Sequence, residues 1–209
     1  SATHASDVSD FIPEGAALEW DAETGKVVTT DTNTVASIDG VGYDTLQHAI
    51  AAAGDGDTVT LLNNTEISTI AISKGITLDL GGYTLSLTED GKFNAVGLTF
   101  NSGDSLIKNG TIVDARVVGT YAGYRMITAT GEGTSLTTSE VTMQTYRPDN
   151  INDYTYILYV QNGAELTLGS GTRLFDEKLS SVTNEVHGET TWGSIGVSVL
   201  GQGTKLTVN

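Results

Sequence analysis

The stretch Ile157-Leu-Tyr-Val-Gln-Asn-Gly-Ala-Glu-Leu-Thr-Leu168 decides the fold. A glycine, Gly163, separates two short runs, Leu158-Tyr-Val160 and Leu166-Thr-Leu168, each apolar at every second position. Such alternation turns one face of a strand toward a core, and the glycine lets the chain turn without a Cβ in the way. The unit recurs. Glycine followed three residues later by leucine stands at Gly75/Leu78, Gly103/Leu106, Gly133/Leu136, Gly163/Leu166 and Gly203/Leu206, with successive glycines 28, 30, 30 and 40 residues apart. The matching upstream strands are Ile70-Ala-Ile72, Leu98-Thr-Phe100, Ile127-Thr-Ala129, Leu158-Tyr-Val160 and Val197-Ser-Val199. Two copies carry an extra residue before the glycine, in Gly131-Glu-Gly133 and Gly201-Gln-Gly203.

A strand–glycine–strand unit cannot bury its apolar face alone, so copies must stack, and at about 4.8 Å per step five of them extend about 19 Å. The expected fold is all-β: a right-handed parallel β-helix, a solenoid in which leucine piles on leucine. A β-sandwich also has short alternating strands but has no reason to repeat glycine and leucine in one phase five times. The variable parts of the repeat are Val113–Arg125, Tyr146–Tyr156 and Leu174–Ser194, which would emerge on one side of the stack.

Upstream, Leu46, Ala49, Ile50 and Ala53 form one apolar stripe at helical spacing. Asp44 or Thr45 is placed to cap the start of this helix, about 44–54, and Gly54 to end it. Laid across the end of a stack, it would cover core side chains and unpaired backbone. Asp57-Thr-Val-Thr-Leu-Leu62 is the strand that enters the stack. Three parts follow: residues 1–10 as a disordered leader, 11–34 as a hairpin or linker turning near Thr24-Gly25 and anchored by Trp20, and 35–209 as the β-helix. The last part stops inside a repeat, at Lys205-Leu-Thr-Val-Asn209, and reads as truncated, with further domains of a parent chain expected.

The run Tyr43-Asp-Thr-Leu-Gln-His-Ala-Ile-Ala-Ala-Ala-Gly-Asp-Gly-Asp-Thr-Val-Thr-Leu-Leu62, with Ile76-Thr-Leu-Asp-Leu-Gly-Gly-Tyr-Thr-Leu85 and Ile107-Lys-Asn-Gly-Thr-Ile112, resembles the pectate-lyase-like β-helix domains of bacterial surface proteins, common in adhesin-like proteins of gut Gram-positive bacteria. The resemblance covers about Val35 to Asn209 and rests on cap and core positions, so it speaks for architecture. It implies a secreted or cell-surface module, adhesin-like and non-enzymatic.

Composition narrows the function. A net charge of −16 over 209 residues argues against nucleic acid or an anionic membrane surface as partner. No apolar run reaches the roughly 18 residues of a membrane span, and the polar opening Ser1-Ala-Thr-His-Ala-Ser-Asp-Val-Ser-Asp10 is no signal peptide but suits a mature or trimmed chain. With no cysteine, neither disulfides nor thiolate–metal bonds contribute.

Residues for catalysis are scattered. A polysaccharide lyase needs a basic residue beside clustered carboxylates, and Lys108, Arg116, Arg125, Arg147 and Arg173 fall on different repeats without such a cluster in phase. A hydrolase needs two facing carboxylates, which neither Asp176 with Glu177 nor Asp149 with Asp153 clearly supplies. Gly54-Asp-Gly-Asp57 reads as a glycine-rich exit from the helix rather than a calcium loop, and His4, His48 and His187 lack metal-ligand spacing. Asn63-Asn-Thr65 and Asn109-Gly-Thr111 match the glycosylation pattern by coincidence. No cofactor or metal is expected, and a secreted carbohydrate-active enzyme is the alternative function.

The candidate binding surface is aromatic. Tyr146, Tyr154 and Tyr156 lie in one variable segment and Trp192 in the next, beside Arg147, Asp149, Asn152 and Asp153. Flat amphipathic rings beside polar groups suit a host glycan or an extracellular protein; the competing reading is that they fasten loops to the wall.

Overall fold

In a computed structural model the described residues are 12–21, 23–24, 26–30, 33–88, 95–114, 116, 123–145, 154–176 and 195–209. They are mostly strand, with one helix among them. No helix among the described residues is long and apolar enough to cross a membrane. The leader 1–10 and all of 146–153 and 177–194 fall outside this set.

Three parallel ladders organise the chain. The first joins β7 (Ile70–Ile72), β10 (Val96–Phe100), β12 (Gly123–Thr130), β14 (Tyr154–Gln161) and β17 (Ile195–Leu200). Here the five upstream strands read from sequence stand in one register: Ile70, Leu98, Ile127, Leu158 and Val197 form one row, and Ile72, Phe100, Ala129, Val160 and Val199 the next. Phe100 beside Ala129 fills the row with a large residue against a small one, as close packing requires.

The second ladder joins β5 (Thr58–Leu61), β8 (Thr77–Asp79), the first half of β11 (Gly103–Asp114), the first half of β13 (Thr134–Thr145), β15 (Glu165–Leu168) and β18 (Lys205–Val208). Here the expected single leucine row breaks. Leu136, Leu166 and Leu206 pair in sequence, but Leu136 meets Ser105 rather than Leu106, and Leu78 meets Ile107. Leu106 therefore sits on the outer face, half-buried, while Ser105 and Ile107 point inward. The turns between the first and second ladders differ in length, and these differences shift the glycine relative to the strand that follows. At Gly75 the reason for glycine also differs: a Cβ there would come within 2.7 Å of the Asp104 carbonyl oxygen.

The third ladder was absent from the two-strand repeat. It joins β6 (Thr65–Ile67), β9 (Thr84–Leu87), the second halves of β11 and β13, and β16 (Arg173–Asp176). Between second and third ladders the chain bends at single left-handed residues, Asn109 (φ 58°) and Glu140 (φ 51°), which lets β11 and β13 run through both ladders. Side chains from all three ladders meet in one hydrophobic cluster, with Ile72, Phe100, Leu78, Ile107, Leu85 and Ile112 fully buried.

At the N-terminal end the helix α1 (Leu46–Ala52) buries Leu46, Ala49 and Ile50 against this cluster. Thr45 is the N-cap, its hydroxyl accepting the His48 N–H. The helix ends before Gly54, at Ala53 in an extended conformation, and the Asp57 carboxylate accepts the Gly54 N–H at 2.7 Å. Strands β3 (Ala36–Ile38) and β4 (Val41–Tyr43) pair antiparallel there, β3 also with β5. The expected hairpin is β1 (Leu18–Asp21) with β2 (Lys26–Thr29), its turn held by Asp21, whose carboxylate accepts from the Glu23 and Thr24 N–H groups. Trp20 pairs with Val27 and is half-buried, and the Ala17 N–H donates to the Gly42 carbonyl. At the opposite end β17 and β18 close their ladders and leave Val199, Leu200, Leu206 and Val208 exposed.

Candidate functional site

The outer face of the first ladder carries Tyr156 and Tyr159. Tyr156 is the register partner of Arg125. The Arg125 guanidinium lies 4.0 Å from the centre of the Tyr159 ring, and Tyr159 meets Tyr156 edge-on at 5.1 Å. Tyr159 is buried, while Tyr156 and Arg125 are half-exposed. A cation held over one ring and a second ring at its edge form a rigid, amphipathic surface. Beside Tyr159, Thr128 is buried with its hydroxyl unpartnered. Tyr154 opens β14 with its backbone paired to Gly123. Tyr146, Arg147, Asp149, Asn152, Asp153 and Trp192 lie outside the described residues, so the expected rim is brought together only at Tyr156.

Arg116 was read as one of several scattered cations. It is instead buried against Asp114, donating from Nε at 2.8 Å and from the terminal amine at 2.6 Å. Asp114 occupies a core-facing position of the third ladder, in the row of Ile67 and Leu87. Its charge is met two residues on, and Arg116 spends its other donors on the Ala95 and Arg125 carbonyls while lying 5.0 Å from the Tyr124 ring centre. A fully paired and hydrogen-bonded buried ion pair of this kind clamps chain segments rather than offering a free base. An Asp-x-Arg triplet at the end of an apolar run was the available signal.

Several other charges have structural partners as well. Lys108 on the outer face of the second ladder reaches Asp79 at 3.2 Å, and Asn109 donates to both Asp79 oxygens. Burial pushes the Asp79 carboxyl up, but the Gly81 N–H, Lys108 and Asn109 outweigh it and hold the group below its ordinary range. On α1, His48 bonds Asp44 at 2.7 Å and lies 3.7 Å from Glu14; the Asp44 hydrogen bond outweighs partial burial and raises the imidazole above its usual value. Of the Gly54–Asp57 turn, Asp55 accepts the Gly75 N–H and Asp57 the Gly54 N–H, so both carboxylates serve the backbone. Both glycosylation-like asparagines are engaged: Asn63 donates to the Thr34 carbonyl, Asn109 to Asp79. Among the described residues no group of three His, Cys, Asp or Glu side chains is placed to hold a metal.

A groove lies elsewhere, along the turns between the first and second ladders. It is an open groove with a volume of about 780 Å³, lined by Asp104, Glu132, Ser135, Asn162, Glu165 and Gln202 among others.

Comparison with known proteins returns no match, whether by family model, by curated sequence or by solved structure.

Proposed function

We propose that the three ladders are the walls of a right-handed parallel β-helix, and that the chain is a non-enzymatic, adhesin-like module of a secreted or cell-wall-attached bacterial protein. The order in which the chain visits the ladders supports the helical reading: first, second, third, then the first again, with partners about thirty residues apart. Parallel crossovers in one sheet are right-handed in about 98% of cases, which supplies the hand.

The observation that carries the binding role is the Arg125–Tyr159–Tyr156 cluster, fixed on a rigid wall beside the variable segments. Rings and guanidinium planes held in place lose little entropy when a sugar or a protein loop settles on them. The ligand is a host glycan or an extracellular protein. The pairing of Asp79 with Lys108 and of Asp114 with Arg116 supports the non-enzymatic reading over the secreted carbohydrate-active enzyme, since both cations already face structural partners.

A glycan array and host-protein capture with the parent chain and with Tyr154→Ala, Tyr156→Ala and Trp192→Ala tests this. Binding should fall in the variants while the circular dichroism spectrum is kept; unchanged binding would sink the role of this face. Incubation with pectins and host glycans, with and without calcium, should release no unsaturated or reducing ends, and their release would establish the enzyme instead.

A further inference from the structure

The groove between the first and second ladders lies on a different face from the aromatic cluster. It spans four consecutive repeats, touching Asp104, then Glu132 to Ser135, then Asn162, Gly163 and Glu165, then Gln202, Gly203 and Lys205. At about 4.8 Å per step that is a trough about 14 Å long, running across the strands. Its volume of about 780 Å³ falls within the range of about 300–1,000 Å³ typical of ligand sites. The floor is built of turns whose glycines carry no side chain into the space: a Cβ added at Gly133 would meet nothing within 4 Å. The turns satisfy themselves from below, with Thr134 donating to the Thr130 carbonyl, Asn162 donating to the Thr130 hydroxyl, and Thr204 accepting the Gly163 N–H. Polar side chains then stand along the walls in register: Asp104, Ser135, Glu165 and Lys205 form one row, with Lys205 bonded to Glu165. Glu132 and Gln202 are exposed.

We propose that this trough binds a neutral oligosaccharide of a few residues, lying along the stacking direction. Three features select that class. The walls offer at least one carboxylate, amide or hydroxyl group at each step, which matches a ligand bearing hydroxyls along its whole length. Peptide recognition on a sheet relies on free edge backbone and on pockets for alternate side chains. Most of the strands flanking this groove are already paired on both sides, the end strands β17 and β18 excepted, so little edge backbone is free. Asp104, Glu132 and Glu165 against the single Lys205 repel uronates and sulfated sugars.

The test is an NMR titration of the 209-residue chain with cellotetraose, mannotetraose, xylotetraose, maltotetraose and chitotetraose, with tetragalacturonate and a lysine-rich peptide as comparison arms. At least one neutral tetrasaccharide should shift the amides of Gly133, Gly163 and Gly203, and tetragalacturonate should not. The double variant E132A/Q202A should weaken that binding at least tenfold with an unchanged spectrum elsewhere, and Asp104→Lys with Glu132→Lys should admit tetragalacturonate. Tyr156→Ala should leave it intact, which separates this site from the aromatic face. No shift from any neutral tetrasaccharide at millimolar concentration, shifts insensitive to E132A/Q202A, or preferential binding of the lysine-rich peptide would each overturn the proposal.

Discussion

Glu140 shows what single residues contribute to the bends of this chain. It stands at φ 51° in the row that holds Asn109 at φ 58°, between strand segments that must change direction within one residue. Left-handed backbone costs a residue with an ordinary side chain about 1–2 kcal/mol, and asparagine tolerates it better. Glu140→Asn should therefore stabilise the fold by about 1 kcal/mol, read as a raised urea midpoint at unchanged slope. These bends were hard to see in the sequence, because Glu140 is no turn residue and the alternation simply resumes after it. Asn109-Gly110 stands out only within a glycosylation pattern and within the run Ile107–Ile112, and neither marks a bend into a third strand. Asp79 offers a second test. Its folded-state pKa lies below the unfolded value of about 3.9, so its stabilisation is present above that value and is lost as pH falls through the folded pKa. Asp79→Asn should cost about 1 kcal/mol or less at pH 7, and the gap from the parent should narrow as pH falls below the unfolded value of about 3.9 in thermal melts.

At the scale of elements, local pattern identified the helix and the strands of the first two ladders well, and the fit between them less well. Thr45, Leu46, Ala49 and Ile50 announce the helix by capping and spacing, and the structure keeps all four roles. The first ladder was legible because its five triplets, from Ile70–Ile72 to Val197–Val199, share one alternating pattern and one register. The second was misread at Leu106, since a shared Gly-x-x-Leu spacing does not fix where the strand begins after turns of unequal length. The aromatic site was legible as residue types, but Arg125 and Tyr159 were not seen as its framework, because their contact joins strands that are distant in sequence. The Asp114–Arg116 clamp ties the end of β11 to the starts of β10 and β12 through the Ala95 and Arg125 carbonyls. Arg116→Met leaves a carboxylate buried without its cation and should destabilise by about 3–5 kcal/mol. Replacing both members, D114L/R116M, should restore part of that loss; a double variant less stable than the single one would contradict the clamp.

For the whole molecule, the parallel register carries the account. Thr58, Thr77, Leu106, Thr137, Thr167 and Thr207 stand in one row on the outer face of the second ladder, each the register partner of the next. The row begins near the helix-covered end and finishes at β18, beside exposed Leu206 and Val208. A stack makes distance along this row proportional to the number of steps and independent of residues between them. The chain holds no cysteine, so paired Cys substitutions can carry spin labels without interference. Pulsed electron paramagnetic resonance on labels at 58 with 137, 58 with 167 and 58 with 207 measures that proportionality directly. Backbone separations should rise in equal steps of about 4.8 Å, from about 14 to about 19 to about 24 Å. Distances that fail to increase in that order, or that jump between 167 and 207, which lie forty positions apart in sequence, would contradict the stacked fold.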